Sequence, residues 1–312
     1  KIPLNAPFRH QSSFRKFRNL NLGKKYDFYI ISGDWAMSGA VKNKPNLWYV
    51  HSPLNELWEF KDYIRNNLLS PWKRPLFDLW VRINRKLTLR YSESINIWIC
   101  NSLNTKNRIR KYYGKEAKVI NPPIDTSKYL YREPKNYWLS VNRLLSNKRI
   151  EIQMKAFSKI PHEKLIIVGS FEKGAKQFEK YKRHIESIKP NNVKIINWID
   201  HKDLLRMYSE CKGFITTSKD EDFGMTPVEA MASGKLVISP NEGGYKETVI
   251  NNKTGILIDN IDPDKLSKAI TKMSKELESN KIRQKYKKAC QEQSKKFDVK
   301  IFIDKIKAEI KK

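Results

Sequence analysis

Two glutamates, Glu221 and Glu229, flank a glycine and a Thr-Pro pair in the stretch SKDEDFGMTPVEAMASGKLVISP, Ser218 to Pro240. The small residues after the Thr-Pro pair read as a short helix. Thr226 stands where an N-cap belongs, Pro227 fits the first helical position, and Gly234 fits a left-handed stop. Two chemistries suit this spacing. In one, Thr-Pro-Val-Glu is a capping box, with Glu229 reaching back to the Thr226 amide. In the other, the helix start is an anion site, because free N–H groups and the positive end of the dipole face a phosphate there. Gly224 then lets backbone approach a ligand closely. Glu221, in the loop, accepts from hydroxyls, and Glu229, one turn into the helix, accepts from a ribose diol. A sugar nucleotide carries these groups in order: hydroxylated sugar, diphosphate, ribose. The two carboxylates would bracket the diphosphate.

Such a site needs strands that end at it. Short apolar runs alternate with amphipathic stretches along the chain, which predicts an α/β architecture with parallel sheets. YDFYIISG, NLWYVHS and INIWICNS read as early strands, and AKVINPPID closes the series at a Pro-Pro break. A second series comprises NYWLSVNR, KLIIVGS, NVKIINW, GFITTS, KLVISP and GILID, with helices expected over Arg149–Lys159 and Asp203–Glu210. The polar segment 124–134 reads as a linker between a first domain over 1–123 and a second over 135–295. A Lys-rich helical tail over 296–312 is expected to pack back on the first domain.

The 312 residues favour two domains over one, and 39% hydrophobic content with eight Trp supplies real cores. Lys and Arg number 62 against 33 Asp and Glu, a net charge of +29 that favours polyanions: nucleic acid, anionic lipid or phosphorylated small molecules. Three scattered cysteines, Cys100, Cys211 and Cys290, form no CxxC and argue for a reducing compartment, hence a cytoplasmic location. No stretch reaches the length of a membrane span.

EDFGMTPVEAMASGKLVI resembles the E-x7-E motif of the retaining glycosyltransferases of family 4, which have the GT-B fold. Two Glu eight apart are a weak signal, but the intervening Phe-Gly, the Pro, the Glu-Ala-Met-Ala-Ser-Gly run and the strand after it make a strong one. LSVNRLLSNKRIEIQMKAF resembles the family's Arg-x4-Lys segment, LIIVGS its strand and Gly before the nucleotide, and NEGGYKETVINNKTGILI the last part of its donor domain. The match is good over Tyr137–Asp259 and looser before it, where LWYVHSPLNELWE resembles a His-containing strand end of mannosyltransferase-like members. The resemblance implies two Rossmann-like domains facing a central cleft, with the donor in the second and the acceptor in the first. The first domain is expected to lack its N-terminal portion, because nothing like the family's opening strand and Gly-rich loop precedes YDFYIISG.

By the same resemblance Glu221 contacts the donor sugar, Glu229 the ribose, and Arg143 and Lys148 the diphosphate. Gly169, Phe223, Gly224, Met225 and Thr226 line the donor, and His51 reaches the reacting groups from the other domain. Elementary chemistry agrees with the cations: sugar transfer releases a nucleoside diphosphate, and fixed positive charge stabilises its growing charge. With 62 basic residues available, ordinary surface charge is the competing account of Arg143 and Lys148. The implied reaction is hexose transfer with retention, from GDP-mannose or else a UDP-sugar, to a glycan or lipid-linked acceptor. No cofactor and no metal are implied. Asp220 and Asp222 make a formal D-x-D, of the kind that holds a metal in other enzymes, but it lies inside the longer pattern.

A sugar-nucleotide phosphorylase or epimerase of the same fold is the nearer rival, and a basic nucleic-acid-binding protein the more distant one; no RNP, KH, zinc-finger or heptad signature supports the latter. From Lys61 to Arg90 the chain holds eight Lys or Arg and two Asp, with Trp72, Leu76, Leu79, Trp80, Ile83 and Leu87 at helical spacing. Two readings apply: a core helix with a solvated basic face, or an interfacial patch on an anionic membrane. For an apolar stripe of this size the core helix is favoured, while the net charge of +29 and the resemblance to family members that act on lipid-linked acceptors add weight to the second and lead to the expectation of peripheral membrane binding by the first domain.

Overall fold

Buried apolar runs bounded by turns become short parallel strands, and the chain sorts them into two sheets. The computed structural model describes residues 9–23, 25–171 and 176–311. Residues 1–8 of the expected first domain and Lys312 of the expected tail lie outside them. The chain divides into two units, Lys1–Asn121 with Lys305–Lys312, and Pro122–Asp304.

In the first unit β1 (Tyr29–Ser32), β2 (Asn46–Val50), β3 (Ile97–Cys100) and β4 (Lys118–Val119) form a parallel sheet in sequential order. Every residue of β2 is buried, as expected of a parallel strand covered on both faces. Trp48 anchors this core, with the Trp98 and Tyr113 rings 5.1 and 5.8 Å away in edge-to-face geometry. The helix Leu103–Tyr113 begins where Ser102 caps the Thr105 amide (2.9 Å) and stops at Gly114 in the left-handed region.

The second unit carries β5 (Trp138–Val141), β6 (Leu165–Val168), β7 (Val193–Ile196), β8 (Phe214–Ile215), β9 (Val237–Pro240) and β10 (Gly255–Ile258). Their order is β10-β9-β8-β5-β6-β7, all parallel. The chain starts in the middle, winds outward one way, then returns to wind outward the other way. That doubly wound order leaves a crevice at the carboxyl ends of β5 and β8, where ligands bind in open α/β sheets. The helices expected over Arg149–Lys159 and Asp203–Glu210 run over Ile150–Ser158 and His201–Glu210.

Residues 124–134, expected as a linker, are strapped along the second unit. Ile124 exchanges backbone hydrogen bonds with Phe297 and Val299 (2.9 and 3.0 Å), and the Arg132 amide donates to Ser209 (3.1 Å). The division therefore falls before Pro122. The tail helix Val299–Ile310 crosses the second division, and Glu309 pairs with Lys118.

The basic stretch before β3 corrects the favoured core-helix reading of its apolar stripe. Its helix, Arg74–Ser92, buries Phe77, Val81, Asn84, Thr88 and Tyr91. Leu76, Leu79 and Ile83, with Trp72 in the turn before the helix, are 46–70% exposed. Of the six residues expected at the core, Trp80 and Leu87 alone are partly covered.

Candidate functional site

The crevice of the second unit is assembled from the segments that leave β5 and β8. After β5 the chain passes Asn142 and Arg143, makes a turn over Ser146–Lys148, and enters its helix through Arg149 at φ +49°. The end of β6 lies so close that a Cβ at Gly169 would sit 1.7 Å from the Asn142 carbonyl oxygen, so only glycine fits. Gly169 is therefore required by strand packing, beside the position where a nucleotide is expected.

Long-range hydrogen bonds lock the β5 turn to the loop leaving β8. The Thr217 hydroxyl donates to the Lys148 carbonyl (2.7 Å), Gln153 donates to Thr217 Oγ1 (2.9 Å), and the Lys219 amide donates to the Asn147 carbonyl (2.8 Å). Arg149 donates through Nε to the Thr217 carbonyl (2.6 Å) and pairs with Glu242. This frame brings Lys148 Nζ to 2.6 Å from Glu221 Oε2, with 14% and 24% of the two side chains exposed. The pair is sheltered but open to a ligand.

A third segment completes the frame. The Gly244 amide donates to the Glu221 carbonyl (2.8 Å). A Cβ at Gly243 would meet that carbonyl oxygen at 2.5 Å, and one at Gly244 would meet Phe223 Cα at 2.4 Å. The Gly-Gly of NEGGYKET is thus the sequence trace of a close approach to the Glu221 loop. Tyr245 follows it, fully buried, with its hydroxyl 2.8 Å from Thr216 Oγ1 and 3.5 Å from Glu221 Oε2. Arg149, Glu242 and Tyr245 escaped the sequence reading; the glycine pair was the available signal.

The helix carrying Glu229 corrects the local grammar. It spans Met225–Ala232, and its N-cap is Gly224, in the left-handed region at φ +91°. Thr226 therefore lies inside the helix and caps nothing, and the Thr226–Glu229 capping box does not form. A Cβ at Gly224 would meet the Tyr245 ring at 2.8 Å, so tertiary packing moves the start back by two residues. Glu229 instead accepts from the Tyr208 hydroxyl at 2.7 Å. Burial raises its carboxyl above the usual carboxylate range, and the hydrogen bond from Tyr208 offsets this only in part. The Phe223 ring, expected at the donor, turns into the core against Phe297 (5.3 Å). Met225 and Arg143 are exposed, and Thr226 is partly so. Gly234 ends the segment at φ +70°, the expected stop.

In the first unit, the carboxyl ends of β1, β2 and β3 meet at His51. Its Nε2 is 2.9 Å from Ser32 Oγ, and its carbonyl accepts from Asn101 Nδ2 at 2.7 Å. Desolvation lowers the imidazole's pKa, which keeps it neutral at physiological pH and able to exchange a hydrogen bond with a hydroxyl.

The second unit thus offers a cation and a carboxylate beside a helix N-terminus at one crevice, groups suited to a hydroxylated, diphosphate-bearing ligand. The chain is also similar to known proteins. Residues 123–293 match the family described as glycosyl transferases group 1. The chain is 27% identical over 279 residues to alpha-1,3/1,6-mannosyltransferase ALG2 of Dictyostelium discoideum, covering 75% of this chain and 64% of that protein. It is 24% identical over 287 residues to the ALG2 enzyme of Rhizomucor pusillus, covering 77% of this chain and 61% of that protein. The chain thus spans somewhat under two thirds of these relatives. The fold is shared with HepE of Anabaena, solved with UDP and glucose, at a TM-score of 0.74 and 19% identity over 99% of this chain and 82% of that one.

Proposed function

The chain belongs to the group 1 glycosyl transferases, in GT-B form, and we propose that it moves a hexose, with retention, from a nucleotide sugar to a glycan or lipid-linked acceptor. The observation that carries this reading is the Lys148–Glu221 pair at the switch point of the second sheet, beside the helix that carries Glu229. Lys148 and Arg143 take the diphosphate, Glu221 a sugar hydroxyl and Glu229 the ribose diol. His51 contacts the reacting groups from the acceptor side. The acceptor oxygen bonds to the anomeric carbon on the face the diphosphate leaves. The anomeric C–O bond to phosphate breaks, and the departing diphosphate oxygen takes the acceptor's proton. Fixed cations stabilise the charge that develops on that leaving group.

GDP-mannose is the proposed donor, supported by the mannosyltransferase relatives; the UDP and glucose of HepE support a UDP-glucose alternative. Thermal-shift titration separates them. A ligand at 100 times its dissociation constant stabilises by about 2.7 kcal/mol, so GDP-mannose and GDP are expected to raise the midpoint well beyond UDP-glucose and UDP. The reverse order reassigns the donor to UDP-glucose. No shift with any of the four removes the reading.

The same reading includes an anionic membrane surface as a partner. None of the described helices is long and apolar enough to cross a membrane. The exposed stripe of Trp72, Leu76, Leu79 and Ile83 is flanked by exposed Lys73, Arg82, Lys86 and Arg90, the residue mix of an interfacial helix. Arg85, next to them in sequence, turns inward: its guanidinium donates twice to the Leu57 carbonyl (2.9 and 2.6 Å) and lies 4.4 Å from the Trp58 ring centre. Co-sedimentation with anionic vesicles is expected to weaken with salt and to fall when Arg82 and Lys86 become Glu or Trp72 and Leu79 become Ser. Absence of binding at low salt leaves a soluble acceptor as the reading.

A further inference from the structure

The first unit holds a polar cavity lined by none of the residues assigned to sugar transfer. It has a volume of about 530 Å³, and its walls include Arg15 and Arg18 on the helix Arg9–Asn19, Lys42 before β2, and Phe14, Leu87 and Tyr91. Lys42 precedes β2, and Leu87 and Tyr91 occupy the last turns of the helix that leads to β3. The cavity therefore lies at the amino ends of the strands, the edge of the sheet opposite Ser32, His51 and Asn101.

Its electrostatics are one-sided. Among the described residues no carboxylate lines the cavity, and none of Arg15, Arg18 and Lys42 forms an ion pair. Many cations of this chain are partnered, as in Lys148–Glu221, Lys212–Glu163 and Lys135–Glu210. Arg18 lies in the last turn of its helix and Lys42 follows the short helix Trp35–Val41, so each also complements a helix C-terminus. That role accounts for the two singly, but not for three cations around one apolar-floored space. Phe14 and Tyr91 are buried in its floor, with their rings 5.3 Å apart.

We propose that this cavity binds a phosphate ester, with its phosphate held by Arg15, Arg18 and Lys42 and a compact organic body against Phe14, Leu87 and Tyr91. Two guanidinium groups match phosphate oxygens bidentately. The volume exceeds what a bare phosphate needs and leaves room for a glycerol-sized body. The ester's source is either a lipid headgroup or a soluble metabolite. This site is built from first-unit residues alone, and binding there does not require glycosyl transfer.

The test uses the whole chain with two probes: glycerol 3-phosphate in solution, by calorimetric titration, and phosphatidate in otherwise neutral phosphatidylcholine vesicles, by flotation. The variant replaces Arg15, Arg18 and Lys42 with Gln. A control of equal charge change replaces Lys281, Lys285 and Lys288, exposed on the helix Asn280–Lys295, with Gln. All six side chains lie at the surface, and circular dichroism and GDP binding report that both variants remain folded. Saturable binding is expected, weakened on the order of tenfold or more in the cavity variant and nearly unchanged in the control. Binding of soluble ester as tight as vesicle phosphatidate assigns a metabolite; binding to vesicles alone assigns the headgroup. Equal losses in both variants, or no saturable binding of either probe, would overturn the site.

Discussion

Lys148→Ala is expected to lower kcat/KM for sugar transfer by roughly 100- to 1,000-fold, the size of losing one preorganised group that stabilises a developing anion. Lys148 Nζ and Glu221 Oε2 are 2.6 Å apart. Without ligand the cation is neutralised by the carboxylate, within a frame fixed by the Thr217, Lys219 and Arg149 hydrogen bonds. A bound diphosphate competes for the same ammonium, and its growing charge strengthens that claim as the sugar leaves. The partner variant then behaves differently. Glu221→Ala frees Lys148 for the diphosphate, so GDP affinity is expected to hold or rise while transfer falls steeply through loss of the sugar contact. Arg143→Ala is expected to weaken GDP more than guanosine, by the roughly 1.5–3 kcal/mol of a charge-assisted contact. Steady-state kinetics and GDP titration of the three variants and the Lys148–Glu221 double variant check the set. Because the two groups touch, their effects on transfer are expected to be non-additive. Parental transfer rates in Lys148→Ala and Glu221→Ala would sink the assignment of this crevice.

The strands were legible because parallel strands are buried on both faces. LIIV, VISP and NLWYV read as continuous apolar runs whatever lies around them. The pairing of Lys148 with Glu221 was not legible. The two residues stand 73 positions apart, and the family resemblance placed them near one ligand without joining them. Thr-Pro-Val-Glu misled because a capping box is local grammar, whereas the helix start is set by Gly224 against the Tyr245 ring, a contact between distant segments. The helix Arg74–Ser92 misled for a different reason. It has two apolar stripes, and periodicity alone does not say which one the sheet covers. Phe77, Val81 and Tyr91 face inward, whereas Trp72, Leu76, Leu79 and Ile83 face out.

Glu229→Gln is expected to make the protein more stable and a poorer binder of nucleotide. With the capping box absent, an amide satisfies the nearest partner as well: the Tyr208 hydroxyl, 2.7 Å from Oε2, finds an acceptor in the Gln carbonyl. Burial is the largest influence on Glu229 and raises its pKa above the unfolded value. Folding therefore takes up a proton between the two pKa values. The carboxyl's contribution to stability is fully present below the unfolded pKa and is lost as pH rises through the folded one. Above the unfolded pKa the parent protein bears the cost of a poorly solvated carboxyl, by taking up a proton or by keeping the charge, and Gln removes that cost. A gain of about 1 kcal/mol corresponds to roughly 2–4 °C in the unfolding midpoint for a unit of this size. The gain is expected to shrink toward acid pH, where the parent carboxyl is already protonated. If Glu229 receives the ribose diol, the same substitution replaces a two-oxygen acceptor by an amide with one oxygen and weakens GDP binding on the order of tenfold, the trade of stability for function seen at built sites. Melting curves from neutral to acid pH, with and without GDP, carry both readouts. A Gln variant that melts lower at neutral pH and binds GDP as tightly as the parent would make Glu229 a structural residue, and the ribose would need another acceptor.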